Sequence, residues 1–366
     1  MKLMTILGTR PEIIRLSLII GKLDRLTNHV LVHTGQNYAP ELDSVFFETL
    51  DIRQPDNYID SRAESTFGQI AKILEATEAL IEQTRPDACL ILGDTNSGLS
   101  AIVAEKIGVP VFHMEAGNRC FDRKVPEERN RKIIDHVSSW LLPYVENSRR
   151  NLLNEGIRKE CIFVSGNPIF EVLHHYGNQI DASDVLTRLH ITERKFFLVT
   201  AHRAENVDVP ERMSSIVFAL NQLAEKYGYP IVWSFHPHTR LKFEPLGLSI
   251  HPLVKLCVPF DLFDFVKLEK NAFCVLTDSG TVQEECCIFH VPAITIRDTT
   301  ERPETVECGS NVLTGCEPDK IIQGVELVTQ HGFDWAVPIE YLDPHVSDKL
   351  ARFILGNRGR RHLLGP

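Results

Sequence analysis

The sequence predicts an α/β protein made of two Rossmann-like domains that face a cleft. Short apolar runs alternate with amphipathic stretches of helical period, a pattern typical of βαβ units and a parallel sheet. The alternation occurs in two series, and the 366 residues exceed the length over which one hydrophobic core usually grows. Because such sheets bind ligands at the carboxyl ends of their strands, we expect functional residues directly after the strands.

The predicted elements follow this alternation along the chain. The strands of the first series are expected at residues 3–7, 30–33, 88–92 and 111–113. The strands of the second series are expected at residues 196–200, 231–235, 273–277 and 293–296. Helical periodicity is clear at residues 13–26 and 98–107. The turn-forming cluster at 165–168 (Ser-Gly-Asn-Pro) separates the two series, so we expect the first domain to span 1–167.

Composition excludes several classes of protein. The net charge of −10 argues against non-specific nucleic-acid binding. No window approaches the ~18 to 20 consecutive apolar residues of a membrane span, and the first residues lack an apolar signal core, so a cytoplasmic location is expected. The nine cysteines include no Cys-x-x-Cys pair, which predicts neither a disulfide framework nor a zinc site.

The turn after the first strand, Gly8–Glu12, combines capping residues with an arginine. Thr9 and Glu12 fit a capping box, and Pro11 suits the first helical turn. These roles leave Arg10 unexplained, because a positive charge opposes the helix dipole at that end. An arginine beside free backbone N–H groups suits a bound phosphate. No Gly-x-Gly-x-x-Gly or Walker sequence is present, so nicotinamide and ATP sites are not expected.

Carboxylates follow the third and fourth strands of the first series. Asp94 comes directly after one strand and Glu115 after the next, where acid–base groups would meet a ligand. Asp94 could equally cap a helix. Glu127 and Arg131 open a later helix at i,i+4 spacing, so a surface ion pair is an alternative to a functional role. His202 follows the first strand of the second series and has structural and functional interpretations of similar weight.

Two further segments of the second series carry polar residues at strand ends. Residues 277–285 have a strand, glycine turn and helix pattern. Thr281 and Glu284 fit a capping box there, which leaves Glu285 to accept hydrogen bonds, as from ribose hydroxyls. Residues 297–304 follow the last predicted strand and place Arg302 near the same end of the sheet.

Taken together, these segments resemble the non-hydrolysing UDP-N-acetylglucosamine 2-epimerase family. The resemblance covers nearly the whole chain in matching order, through GTRPE, GDTN, HMEAG, PEERNR, SGNP, AHRAEN, TDSGTVQEE and RDTTERPE. It implies a GT-B fold, with a second, UDP-binding domain at 168–345. It also implies a C-terminal helix and tail, 346–366, that return to the first domain.

The resemblance implies a role for each matching residue. Catalytic roles fall on Asp94, Glu115, Glu127, His202 and Arg10. Contacts to the substrate or UDP fall on Arg10, Arg15, Arg131, His202, Ser279, Gly280, Glu285 and Arg302. The implied partners are a UDP-2-acetamido sugar, UDP and a second copy of the chain in a homodimer. No metal or cofactor is implied, and neither nucleic acid nor membrane is an expected partner.

The implied reaction eliminates UDP from C1 as a proton leaves C2, and then returns UDP after protonation of the other face. The sequence departs from the family at several positions. Residues 118–125 form a shortened segment, Asn37 replaces a histidine in a Gln-His pair of an allosteric site, and Arg15 replaces a lysine. These departures favour the branch that acts on modified sugars of surface-polysaccharide pathways, and predict activity without an allosteric activator.

Three alternatives remain open at the level of sequence. A hydrolysing relative would release free N-acetylmannosamine. A GT-B glycosyltransferase would share the nucleotide site but leave Asp94, Glu115 and Glu127 without a purpose. A catalytically inactive nucleotide-sugar-binding protein would need no acid–base set.

Overall fold

Each of the two units of the structure is built around a six-stranded parallel sheet. The computed structural model describes residues 1–36, 46–330 and 334–357. Unit 1 comprises Met1–Val172 with the segment that begins at Ile339, and unit 2 comprises Leu173–Pro338. The domain boundaries expected from the sequence, after residues 167 and 345, stay predictions.

Unit 1 alternates strands and helices along the chain. Its strands are β1 (Lys2–Leu7), β2 (Asn28–His33), β3 (Asn57–Tyr58), β4 (Ala88–Leu92), β5 (Val111–Met114) and β6 (Trp140–Leu142). Its helices are α1 (Arg10–Leu26), α2 (Thr66–Thr84), α3 (Ser100–Ile107), α4 (Pro126–Val137), α5 (Glu146–Asn154) and, across the division, α6 (Ile169–His175). The strand order is β3-β2-β1-β4-β5-β6.

Unit 2 repeats this arrangement. Its strands are β7 (Phe197–Thr200), β8 (Ile231–Ser234), β9 (Val254–Cys257), β10 (Cys274–Thr277), β11 (Ala293–Thr295) and β12 (Asn311–Leu313). Its helices are α7 (Gly177–Ala182), α8 (Val185–Arg188), α9 (Ala204–Val207), α10 (Pro210–Tyr227), α11 (Pro237–Phe243), α12 (Leu262–Asn271), α13 (Gly280–Phe289), α14 (Pro303–Glu307) and α15 (Pro318–Gln330). The strand order is β12-β11-β10-β7-β8-β9.

The order of the strands reverses direction at one point in each sheet. In unit 1 the chain leaves β1 toward β2 on one side and returns to β4 on the other. In unit 2 the chain likewise leaves β7 toward β8 on one side and returns to β10 on the other. The central strands carry continuous buried apolar runs, as expected of a sheet covered on both faces. Ligands bind at the carboxyl ends of strands at such switch points.

The predicted strands and the predicted C-terminal helix are confirmed, with ends shifted by a residue or two. Helix α16 (Val346–Asn357) packs on α1, and both belong to unit 1. Phe353 stacks on Phe163 with ring centroids 4.2 Å apart and meets the edge of Trp140 at 5.4 Å. The fold class, two parallel α/β sheets, is therefore as the sequence predicted.

Two negative findings apply to the described ranges of the chain. None of the helices there has both the length and the apolar character that crossing a membrane requires. Within the same ranges, no cluster of three or more His, Cys, Asp or Glu side chains is arranged to hold a metal ion.

Candidate active site

The loop after β1 is joined to the loop after β4 by the buried carboxylate of Glu12. Its Oε2 accepts hydrogen bonds from the backbone N–H groups of Gly8 at 2.6 Å and Thr9 at 2.8 Å. Its Oε1 accepts one from the Thr95 hydroxyl at 2.7 Å. The predicted capping box at Thr9 is confirmed. The bond to Thr95 adds a role that the sequence did not indicate, since it couples two loops at the switch point.

Asp94 is held by an arginine from α4. Arg131 is buried and places its Nε 2.8 Å from Oδ2 of Asp94. The N-cap of the 3-10 helix Asn96–Leu99 is Thr95, so the alternative of Asp94 as a helix cap is wrong. Arg131 also binds Glu128 at 2.9 Å. An adjacent guanidinium favours the ionised form of a carboxylate.

Glu115 leaves the neighbouring strand in a strained conformation and meets a second buried arginine. Its φ of 64° lies in the left-handed region that non-glycine residues rarely adopt. Arg15, whose side chain is 2% exposed, places Nη1 2.5 Å from Oε2 of Glu115. The same guanidinium lies 5.6 Å from the centroid of the Tyr144 ring. Asp94 and Glu115 are therefore each paired with a different buried arginine.

A buried network supports the loops that carry these carboxylates. His113 places Nε2 2.9 Å from the carbonyl oxygen of Gly93, and its Nδ1 lies 2.8 Å from Asp135. Asp135 also accepts from the N–H of Gly117 and pairs with Arg119. Burial alone would raise the pKa of Asp135, but the hydrogen bond and charge of His113, followed by Arg119, lower it below its ordinary value. Asp135 was not identified from the sequence, because it lies inside a helix far along the chain from its partners.

Two other predicted residues of unit 1 lie at helix starts. Arg10 is the first residue of α1, with its guanidinium 5.7 Å from the centroid of the Phe46 ring. Glu127 is the second residue of α4 and is half-buried. Glu128, next to it, is buried and accepts from the N–H groups of Cys120 and Phe121. Glu128 thus holds the segment at 118–125.

In unit 2 the loops after β7 and β10 are also joined by a buried carboxylate. Asp278, directly after β10, accepts from the backbone N–H groups of His202 and Arg203, each at 2.9 Å. The side chain of His202 is 46% exposed. Asp278 thus resembles Glu12 of unit 1, which also accepts from two consecutive backbone N–H groups.

The helix that follows, α13, is capped differently from the prediction. Its N-cap is Ser279, so the expected capping box of Thr281 and Glu284 is wrong. Glu284 instead forms a buried ion pair with Arg302. A Cβ on Gly280 would lie 2.6 Å from Oε1 of Glu301, so a larger residue at this position would require the Glu301 side chain to move.

Two further sets of buried ionisable side chains lie near α13. Arg297 is fully buried and binds Glu205 at 2.9 Å and Glu301 at 2.8 Å. Glu285 is buried on α13, close to the buried carboxyl of Glu269 on α12. Burial, and next to it the charge of Glu285, raise the pKa of Glu269 well above its ordinary value. Nothing in the helical sequence context of Glu269 indicated this shift.

The predicted residues divide between the two units. Unit 1 holds Arg10, Arg15, Asp94, Glu115, Glu127 and Arg131, and unit 2 holds His202, Ser279, Gly280, Glu285 and Arg302. Asn37 and Tyr38, on which the predicted independence from an allosteric activator depends, lie outside the described residues.

Comparison with known proteins gives matches along the chain. The family model described as UDP-N-acetylglucosamine 2-epimerase matches residues 22–355. A UDP-N-acetylglucosamine 2-epimerase of Methanocaldococcus jannaschii is 40% identical over 347 residues, which are 92% of this chain and 95% of that protein. A UDP-2,3-diacetamido-2,3-dideoxy-D-glucuronate 2-epimerase of Pseudomonas aeruginosa is 37% identical and covers 88% of this chain and 91% of its own.

A solved structure is also similar. The crystal structure of the Methanocaldococcus jannaschii UDP-GlcNAc 2-epimerase in complex with UDP-GlcNAc and UDP has a TM-score of 0.91 and 38% identity. It covers 97% of this chain and 100% of the compared chain. This similarity agrees with the predicted GT-B fold.

Replacement of Glu12 by glutamine tests whether its buried carboxyl makes the stability of the protein depend on pH. Burial raises the pKa of Glu12 to about 7 from 4.5, although the bonds from Thr95, Gly8 and Thr9 lower it in part. The folded state therefore holds the proton more tightly than the unfolded state between these values. The free energy of unfolding should fall as pH rises through that window, by up to about 3 kcal/mol.

In Glu12→Gln one amide oxygen accepts the two N–H groups and the amide donates to Thr95, so the fold is kept and this pH dependence is removed. Urea unfolding at pH 5 and pH 8 measures the difference. Glu75→Gln, an exposed change on α2, is the control for loss of one charge. Equal pH dependence in the wild type and Glu12→Gln would contradict this interpretation.

Proposed function

The chain belongs to the UDP-N-acetylglucosamine 2-epimerase family, and we propose that it inverts C2 of a UDP-bound 2-acetamido sugar without releasing the free sugar. The observation that carries the proposal is the pair of arginine-bound carboxylates, Asp94 and Glu115, at the ends of adjacent strands in unit 1. Inversion requires proton exchange on both faces of C2, which needs more than one acid–base group.

The proposed chemistry avoids a free carbanion. The C2–H bond is not acidic, so its cleavage is coupled to departure of UDP from C1. The C2 proton passes to a carboxylate, the C1–O bond breaks with its electron pair on the diphosphate, and a 2-acetamidoglucal forms. A proton then adds to the opposite face of C2 as the diphosphate oxygen bonds again to C1. Atoms and charge balance without a redox partner.

The ion pairs with arginine bear on the protonation of Asp94 and Glu115. Arg131 beside Asp94 and Arg15 beside Glu115 favour the ionised forms, which accept protons. We assign proton exchange to Asp94, Glu115 and Glu127. Arg10, at the amino end of α1, is assigned to the diphosphate, where positive charge stabilises the leaving group.

UDP binding is assigned to unit 2. The backbone N–H groups at the start of α13, from Ser279 and Gly280, suit a phosphate. Glu285 is assigned to the ribose hydroxyls, with Arg302 and His202 on the nucleotide diphosphate. The buried ion pair with Glu284 fixes the orientation of Arg302.

Substrate and pathway follow from the family. The relative from Pseudomonas aeruginosa bears the name of a diacetamido-glucuronate epimerase, so modified sugars belong beside UDP-GlcNAc in a substrate panel. We assign the enzyme to precursor synthesis for surface polysaccharides and propose a homodimer, both on the family resemblance.

Proton NMR of the product formed in D₂O tests the reaction itself. We expect deuterium at C2 with UDP still attached, because the proton that returns comes from solvent-exchanged groups. Free N-acetylmannosamine would identify a hydrolysing enzyme. Absence of exchange with every UDP-2-acetamido sugar in the panel would indicate a binding protein.

Removal of the titrating groups should lower turnover far more than UDP affinity. Asp94→Asn, Glu115→Gln, Glu127→Gln and His202→Asn should each reduce turnover by ~10²- to 10⁴-fold. Glu146→Gln, an exposed change on α5, is the matched control. Melting temperatures separate loss of chemistry from loss of fold. Near-normal turnover in Glu127→Gln would remove that residue from the mechanism.

Changes in unit 2 should instead weaken UDP binding. Arg302→Ala and Glu285→Ala each remove a charged hydrogen-bonding group, so the binding free energy should fall by ~1 to 3 kcal/mol in calorimetric titration with UDP. Arg240→Ala, a change of an exposed arginine of α11, should have no effect. If both variants bind UDP as the wild type does, the nucleotide site lies elsewhere.

A further inference from the structure

Asp278 occupies the switch point of the sheet in unit 2, directly beside the loop of His202. Thr277, the last residue of β10, pairs in register with Thr200, the last residue of β7. Asp278 therefore follows one central strand while His202 lies two residues beyond the other. The side chain of Asp278 is fully buried.

One oxygen of this carboxylate fixes the loop. Oδ2 of Asp278 accepts from the N–H of His202 at 2.9 Å, from the N–H of Arg203 at 2.9 Å and from Nδ2 of Asn206 at 3.1 Å. Three donors at one oxygen hold both the loop and the rotation of the carboxylate. The position of the second oxygen is thereby determined.

The second oxygen lies beside the imidazole ring. Oδ1 of Asp278 is buried, and within the described residues no donor reaches it with hydrogen-bond geometry. Nδ1 of His202 is 3.4 Å away. A small rotation of the half-exposed ring brings a proton on Nδ1 into bonding distance, and catalytic contacts often shorten in this way when substrate binds. A buried acceptor without a donor is costly, so this bond is favoured.

We propose that Asp278 is a positioning residue that holds His202 as the Nδ1–H tautomer. A neutral imidazole with its proton on Nδ1 carries the lone pair on Nε2, which is then the atom that accepts a proton. The carboxylate also stabilises the imidazolium that forms when Nε2 is protonated. This inference rests on the proposed function, in which His202 acts on a proton or on the diphosphate.

The variant Asp278→Asn separates two roles of Asp278, which are to hold the loop of His202 and to set the tautomer of the imidazole ring. Its amide oxygen still accepts from the N–H groups of His202 and Arg203, while its amide N–H replaces Oδ1 beside Nδ1. A donor at that position favours the opposite tautomer, Nε2–H. Asp264→Asn, which changes another buried aspartate of unit 2 that binds Ser183 and Arg188, is the matched control.

Nitrogen-15 NMR of histidine-labelled protein, with His202→Asn to assign the signal, reads the tautomer directly. We expect Nδ1–H in the wild type and in Asp264→Asn, and Nε2–H in Asp278→Asn. Turnover should fall ~10²- to 10⁴-fold in Asp278→Asn while UDP affinity changes less than about threefold.

The outcomes distinguish this inference from the proposed function. Nε2–H in the wild type, which needs no variant, overturns the role of Asp278, as does an unchanged tautomer in Asp278→Asn. A reversed tautomer with normal turnover supports the control of the ring by Asp278 and contradicts the role of His202 in the reaction. If the wild type does not exchange the C2 proton of any UDP-2-acetamido sugar in D₂O, the proposed function is overturned and the tautomer result still stands.

Discussion

In each unit, a buried carboxylate accepts two consecutive backbone N–H groups from the loop that follows the first strand. Glu12 does this for Gly8 and Thr9, and Asp278 does it for His202 and Arg203. A carboxylate without water is stable only if such donors replace its hydration. Because these loops carry Arg10 and His202, the position of both side chains depends on how well a buried negative charge is compensated.

The two carboxylates meet that requirement differently. Asp278 has a third donor on the same oxygen, from Asn206. Glu12 has a third donor on its other oxygen, from Thr95, and burial still dominates its pKa. The loop of unit 1 is therefore coupled to the loop that presents Asp94. The loop of unit 2 is coupled to the start of α13, where Ser279 and Gly280 lie.

The central strands could be predicted from the sequence and the edge strands could not. β1, β4, β7 and β10 are mostly apolar and almost entirely buried because both faces are covered, and each was found. The strands that were missed, β3, β6, β9 and β12, are the edges of the two sheets. They have two to four residues and most are partly exposed, so no long apolar run marks them.

A similar distinction separates the site residues. Asp94, Glu115 and His202 could be proposed as candidates because they follow strands, a position that local sequence reveals. Glu269 and Asp135 lie inside helices, and the groups around them are brought close only by the fold. The capping box at Thr281 failed for the same reason: Glu284 has a stronger partner in Arg302, which local spacing cannot show.

Because α16 belongs to unit 1 but lies at the end of the chain, unit 1 can be completed only after unit 2 has been synthesised. Unit 2 is one continuous segment, whereas unit 1 needs both the first part of the chain and the segment after Ile339. Leu350 and Ile354 of α16 are fully buried, and Phe353 stacks on Phe163 of the first segment. Domains fold as units during synthesis. A ribosome therefore completes all of unit 2 while α1 still exposes the surface that α16 covers, so the nascent chain needs protection at the unit that was translated first.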